Sequence, residues 1–294
     1  MYKMPKWPVI LVFVGPALLL YSIFVLYSYA RGLFMSLTNW SGLSGRADFV
    51  GLANFSALLA DEVFRLSVLH NLQLALYTII PIFTVALFLA VVLNRPGPWA
   101  FSLRVALFVP LLLSVPASAV LGRYIYDPAW GLLNSTLKMV GLGSFAKAWL
   151  GEVSYALPAV AAIWIWHAVG FYMLIFYAGL QGIPTDLYDA AKVDGAGPWQ
   201  QFWSITLPLL WETLRVSLVF FIIGVWTYAF PLVHVMTEGG PSHATEVLGT
   251  WLNYNAFWVS KFGYASAMGV ALFLMVFVFS AIGVWLMRRE VVEY

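Results

Sequence analysis

Polar and charged positions are so sparse along this chain that their gaps define its elements. Stretches without Asp, Glu, Lys or Arg run Trp7–Ala30, Leu66–Asn94, Val105–Gly122, Val153–Thr185, Val216–Thr237 and Phe262–Met287. A helix needs about 20 apolar residues to cross the hydrocarbon core of a bilayer. The strands of a membrane barrel are shorter, about 10 residues, and alternate strictly. These runs are too long and too continuously apolar for strands. The pattern predicts an all-α membrane protein with six transmembrane helices. The spans fall at about 7–30, 66–94, 105–126, 153–180, 216–237 and 262–287, within one domain over 1–294. Pro16, Pro81, Pro110 and Pro116 inside the runs read as ordinary membrane-helix kinks without a functional role.

The first run has some marks of a signal peptide. Lys3 and Lys6 precede it, and Ser28-Tyr29-Ala30 is a weak cleavage-like site. Its apolar stretch exceeds the usual ~7–15 residues of such peptides, so a retained helix is expected.

Composition narrows the function classes. Of 294 residues 62% are hydrophobic and 10% charged, where soluble domains carry roughly 25% charged residues. A net charge of +2 with no long like-charge run argues against nucleic acid as a partner. The absence of cysteine excludes disulfides, thiolate metal sites and Cys nucleophiles. The four histidines, His70, His167, His234 and His243, form no H-E-x-x-H pair, and no metal is expected. No Asp lies within a span and no acid, base and nucleophile set is visible, so the chain does not read as an enzyme.

Lys and Arg set the orientation. With the N-terminus in the cytoplasm, the inner segments 1–7, 94–104, 181–215 and 288–294 hold Lys3, Lys6, Arg95, Arg104, Lys192, Arg215, Arg288 and Arg289. The longer outer segments hold fewer. The bias is modest and rests mainly on the two terminal pairs. It places both termini, and the loop 185–208, in the cytoplasm.

That loop has its own local structure. Thr185 reads as an N-cap after Pro184, with Asp186 in the first turn, where a carboxylate suits the helix dipole. Gly195 can end this helix in the left-handed conformation, and Pro198 suits the first turn of a second one. On the second helix Trp199, Phe202, Trp203 and Thr206 are expected on one face. The small residues Ala190, Ala191, Gly195, Ala196 and Gly197 would let a partner's backbone come close, and Asp189 could accept a charge-assisted hydrogen bond.

The spacing inside the loop carries a resemblance. Asp189-Ala190-Ala191, three residues, Gly195, nine residues, Ile205, one residue, then Leu207-Pro208 resembles the EAA loop of ATP-binding-cassette (ABC) importer permeases, with Asp in place of the family's Glu. Phe49-Val50-Gly51-Leu52-Ala53-Asn54-Phe55, Gly131-Leu132-Leu133-Asn134, Met236-Thr237-Glu238-Gly239-Gly240-Pro241 with Thr245-Glu246, and Asn255-Ala256-Phe257 are similar to outer-loop patterns of the carbohydrate-uptake branch, which includes the larger maltose-transporter permease. The resemblance covers nearly the whole chain.

It implies the type I importer permease fold and one membrane subunit of an ATP-driven sugar or oligosaccharide importer, in the cytoplasmic membrane of a prokaryote. The partners implied are membrane lipid, a second related permease, two ABC ATPase subunits and an extracytoplasmic solute-binding protein. Docking of an ATPase would fall on Asp189, Ala190, Ala191, Asp194, Gly195, Ala196 and Gly197. ATP and Mg would bind the ATPase subunits. No Gly-Lys pair occurs in the chain, so it has no phosphate-cradling loop and no cofactor of its own.

Solute contacts are sought among intramembrane aromatic and polar residues. The fourth span holds Trp164, Trp166, His167, Phe171 and Tyr172, and the fifth holds Trp226, Thr227, Tyr228 and His234. Trp166, His167, Phe171, Trp226 and Tyr228 are the candidates. Trp251, Tyr254 and Trp258 fit interfacial anchoring equally well, and His70 reads as structural near the outer interface. The alternative to an importer subunit is a stand-alone secondary carrier or channel. Carriers commonly show an internal repeat and charged residues at the midplane, and neither is seen here.

Overall fold

A computed structural model describes residues 6–43, 45, 47–94 and 97–287, and of Lys6 and residues 8–10 the backbone alone. The orienting residues Lys3, Arg95, Arg288 and Arg289 lie outside the described residues, as does Arg46.

Among the described residues the chain is helical, with a single isolated bridge between Thr38 and Phe49. The helices are α1 (Lys6–Tyr21), α2 (Tyr27–Ser36), α3 (Ala53–Ala60), α4 (Glu62–Leu93), α5 (Pro98–Leu112), α6 (Val115–Ile125), α7 (Leu132–Met139), α8 (Val153–Gln181), α9 (Thr185–Val193), α10 (Pro198–Gln201), α11 (Leu207–Leu209), α12 (Trp211–Met236), α13 (Leu248–Asn253) and α14 (Phe262–Leu286). A π-turn, Ser22–Leu26, joins α1 to α2. Five helical stretches among the described residues are long and apolar enough to cross a membrane: Leu11–Ser36, α4, α8, α12 and α14. The pair α5 and α6 makes a sixth if counted as one span.

That pair departs from the straight third span expected at 105–126. Helix begins at Pro98, stops at Leu112, and resumes at Val115 after a bend of 98°. Leu113 and Ser114 are extended, at ψ 143° and 150°. The cause is local. Pro116, in the first turn of α6, has no N–H to continue the hydrogen-bond ladder of α5, and Ser114 supplies the new N-cap, its Oγ accepting from Ala117 N at 3.4 Å. Pro110 and Pro116, expected to be incidental kinks, flank this break.

The chain forms two compact units. The first comprises the residues up to Glu62 with Leu252–Phe273. Its α1–α2 rod is apolar and exposed along its length. The Asn54 amide donates to the carbonyls of Ser36 and Thr38, both at 2.8 Å, and closes the end of α2. Tyr264 donates to Asp61 at 2.6 Å.

The second unit comprises Val63–Trp251 and the chain from Leu274 on. Its core is α8, two thirds buried over its most apolar window, with α5, α6 and α12 packed around it. Gly170 on α8 sits against the backbone of α5. A Cβ there would overlap the Leu107 carbonyl. Small residues at such crossings let membrane helices approach closely, where van der Waals packing replaces the hydrophobic effect as the driving force.

Candidate functional site

Two regions of the second unit carry the residues singled out from the sequence. The first is the loop from α9 to α11. Its first helix starts at Thr185, with Pro184 in the N-cap position and no side-chain cap, so the expected Thr185 cap is not made. Gly195 ends the helix at φ +82°, with Gly195 N donating to Lys192 O and Ala196 N to Ala191 O at 3.0 and 2.8 Å. This is the left-handed stop that glycine favours. Pro198 is the first residue of α10.

Two side-chain bonds clasp the arms. Gln201 Nε2 donates to Ala196 O at 2.8 Å, and the Tyr188 and Thr206 hydroxyls lie 3.0 Å apart. The expected face of four residues is not formed. Trp199, Phe202 and Trp203 pack against one another at 5.3–6.3 Å, one pair stacked and two edge-on, while Thr206 is buried beside Tyr188. A π-turn over Phe202–Thr206 widens the helix there, and the 3.6-residue period behind the expectation no longer applies.

The docking candidates form a small, accessible ledge. Asp189, Ala190, Asp194, Gly195 and Gly197 are exposed, with Ala191 and Ala196 half-buried. Asp189 Oδ1 accepts from Lys192 Nζ at 2.8 Å, and both side chains remain about two thirds exposed. A Cβ added at Gly195 or Gly197 would meet no atom of this chain within 4 Å.

The second region is a cavity of about 520 Å³ between α5, α6, α8 and α12. The α5–α6 break forms one wall, through Leu113, Ser114, Val115 and Pro116. Helices α8 and α12 form the others. Trp164 stacks on His167 (centroids 5.7 Å, 22°) and packs against Tyr228 (5.4 Å, 37°). Phe171 meets Tyr172 edge-on at 5.2 Å. The Ser118 hydroxyl lies 3.0 Å from His167 Nδ1 and fixes that ring.

Of the five solute candidates, His167, Phe171 and Tyr228 line this cavity. Trp166 faces outward on α8 at 43% exposure, and Trp226 is buried against Phe279 at 5.7 Å. Neither is among the lining residues. Trp164 and the broken helix were not among the sequence candidates. Trp164 is two residues from Trp166 and identical in type, so no composition signal separates them. The prolines at the break were visible but carried no direction.

A third cluster explains one outer-loop pattern. Thr237 and Thr245 hydroxyls lie 2.7 Å apart, Thr245 also donates to Gly240 O at 2.7 Å, and His243 Nδ1 lies 2.8 Å from the buried Glu246 carboxylate. From α4, His70 Nδ1 lies 3.0 Å from Glu246 O, and Asn71 Oδ1 accepts from Leu248 N. His70 is thus a clasp on this loop.

With this geometry in view, the chain was compared with known proteins. It is 36% identical over 290 residues to the diacetylchitobiose uptake system permease protein NgcF of Streptomyces coelicolor, covering 95% of this chain and 82% of that one. It is 36% identical to the probable ABC transporter permease protein YurN of Bacillus subtilis, covering 90% of each. Its fold matches a chain in the crystal structure of a bacterial ABC transporter involved in import of the acidic polysaccharide alginate. There the TM-score is 0.84, with 97% of this chain and 96% of that one covered at 22% identity. A family model matches residues 53–291. The chain therefore belongs to the family of binding-protein-dependent transport system inner membrane components, and is an ABC transporter permease rather than an enzyme.

Proposed function

We propose that this chain is one membrane-spanning subunit of an ATP-driven importer for a sugar or oligosaccharide in a prokaryotic cytoplasmic membrane. It pairs with a second related permease, receives solute from an extracytoplasmic binding protein, and docks an ATPase on the Asp189–Gly197 ledge. Both termini face the cytoplasm, and ATP with Mg resides on the ATPase subunits. The sugar reading draws support from relatives named for diacetylchitobiose uptake and for multiple sugar-binding transport. A solved transporter of this fold is held with a periplasmic protein bound to an alginate pentasaccharide, which favours a delivered solute.

The observation that carries docking is the preformed ledge itself. Its two arms are clasped within the chain, and its outward face is small-residued and open at Gly195 and Gly197. A packed connector would cover such a surface. The solute path is the cavity, which joins the α5–α6 break to the two helices flanking the ledge. Motion at the ledge can therefore reach the cavity wall through α8 and α12.

The test is Gly197→Leu. Gly197 has φ −69°, so leucine is tolerated by the backbone and by the space around it. With the complete transporter in proteoliposomes, uptake should fall at least tenfold while this chain still inserts and elutes as a monodisperse subunit. Co-purification of the ATPase should weaken in parallel. Uptake and ATPase recovery equal to the parent would sink the docking assignment.

A further inference from the structure

The cavity's chemistry says more about the solute than its size does. Among the described residues none of its lining side chains is Asp, Glu, Lys or Arg, and its accessible surface is mostly apolar. The bend could in principle offer positive potential, since an exposed helix N-terminus attracts anionic groups. Here most of that potential is answered internally. After the Val115 amide, Pro116 has no N–H and Ala117 N is bonded to Ser114 Oγ. Ser118 N bonds the Ser114 carbonyl at 3.1 Å. An anion would enter a mostly apolar site whose polar groups, the Tyr172 and Tyr228 hydroxyls and the His167 ring among them, include no Lys or Arg to compensate its desolvation.

One buried side-chain donor on this wall is left without a partner. Trp164 is 5% exposed, and its Nε1–H has no hydrogen-bond partner. Buried indole N–H groups ordinarily find one, and an unmade bond of this kind is costly. Tyr228 lies across the same ring and is itself 45% exposed. A solute lodged beside Tyr228 could reach an N–H that accepts nothing and donates once.

We propose that the solute passing this face is an uncharged saccharide, held with its C–H face on Phe171 and Tyr228 and with a hydroxyl or amide oxygen accepting from Trp164 Nε1. Trp164 is then a specificity-determining residue. The wall disfavours uronates, sulfonates and phosphates because no Lys or Arg lines it and its one imidazole, His167, is already engaged by the Ser118 hydroxyl. This rests on the importer reading above.

The experiment measures binding of radiolabelled saccharides by equilibrium dialysis against the detergent-purified complete transporter, with the solute-binding protein left out so that the membrane site alone selects. Neutral di- to pentasaccharides, including N-acetylated ones, are paired with uronates of equal length. Uptake by the full system is measured alongside. At least one neutral saccharide should bind at least tenfold tighter than its uronate. Trp164→Phe, which keeps the ring and removes the N–H, should weaken that binding about five- to tenfold, the scale of one hydrogen bond. Trp166→Phe should leave it unchanged. Uronates bound as tightly as neutral sugars, or Trp164→Phe binding like the parent, would overturn the inference while leaving the importer intact. No saccharide bound by the complex and none carried by the full system would instead overturn the sugar reading, and the inference with it.

Discussion

The ledge between α9 and α11 and the cavity between α5, α6, α8 and α12 are both rich in aromatic and small residues, yet opposite forces hold them. The ledge is local. The hydrogen bonds that clasp it join residues at most 18 apart, such as Tyr188 with Thr206, and its small residues face outward. The cavity is non-local. Ser118 reaches His167 across 49 residues, and Trp164 on α8 meets Tyr228 on α12. A region built from neighbours can be altered at its surface without disturbing the protein. A region built where four helices cross cannot. Docking surfaces tolerate the first arrangement, while a site that must enclose a solute requires the second.

The contrast can be broken most severely at Gly170. Gly170→Leu would force α8 away from the Leu107 carbonyl on α5. Overpacking of this kind costs about 1–3 kcal/mol or more. Loss of the folded monodisperse species on size exclusion is expected, in contrast to Gly197→Leu. Equal yields of the two variants would erase the distinction between the regions.

A smaller effect is expected from Ser114→Ala, which removes the cap of α6 and should cost ~1 kcal/mol. A lowered thermal midpoint in detergent is the readout, and reduced solute affinity should accompany it because the break lines the cavity. Thr206→Val removes one of the clasps of the ledge. It should cost about 0.5–1.5 kcal/mol and reduce the coupling of ATP hydrolysis to transport, read as uptake per ATP. At the bottom of the scale, Lys192→Met breaks a pair whose side chains are both exposed. Such pairs contribute little, and no change in thermal midpoint should be detectable.

The same contrast explains what could be read without a structure. Gly195 as a helix stop and Pro198 as a helix start are rules of the backbone at one residue, and the ledge follows them. The cavity depends on which faces of nearly uniform apolar helices meet. Around α8 and α12 a lipid-facing side is as apolar as a buried one, since lipid tails impose no polar face. Hence Trp226 and Tyr228 looked alike, and only one lines the cavity. The five long apolar helices, and the bent pair as a sixth, were legible because length and charge suffice for them, whereas the 98° break was not. Pro110 and Pro116 occur in straight and in broken helices alike, and the Ser114 cap shows its role only once the extended pair Leu113-Ser114 is seen.

The open space around Gly197 has a consequence for how this chain can vary. If libraries at positions 170 and 197 were passed through a filter for stable expression alone, position 170 would keep almost nothing but glycine and position 197 would accept most residues. Passing the survivors through a second filter for transport would narrow position 197 sharply and leave position 170 as it was. Two glycines that look equivalent on the page thus answer to different selectors, one inside the chain and one, on the docking proposed above, belonging to its partner.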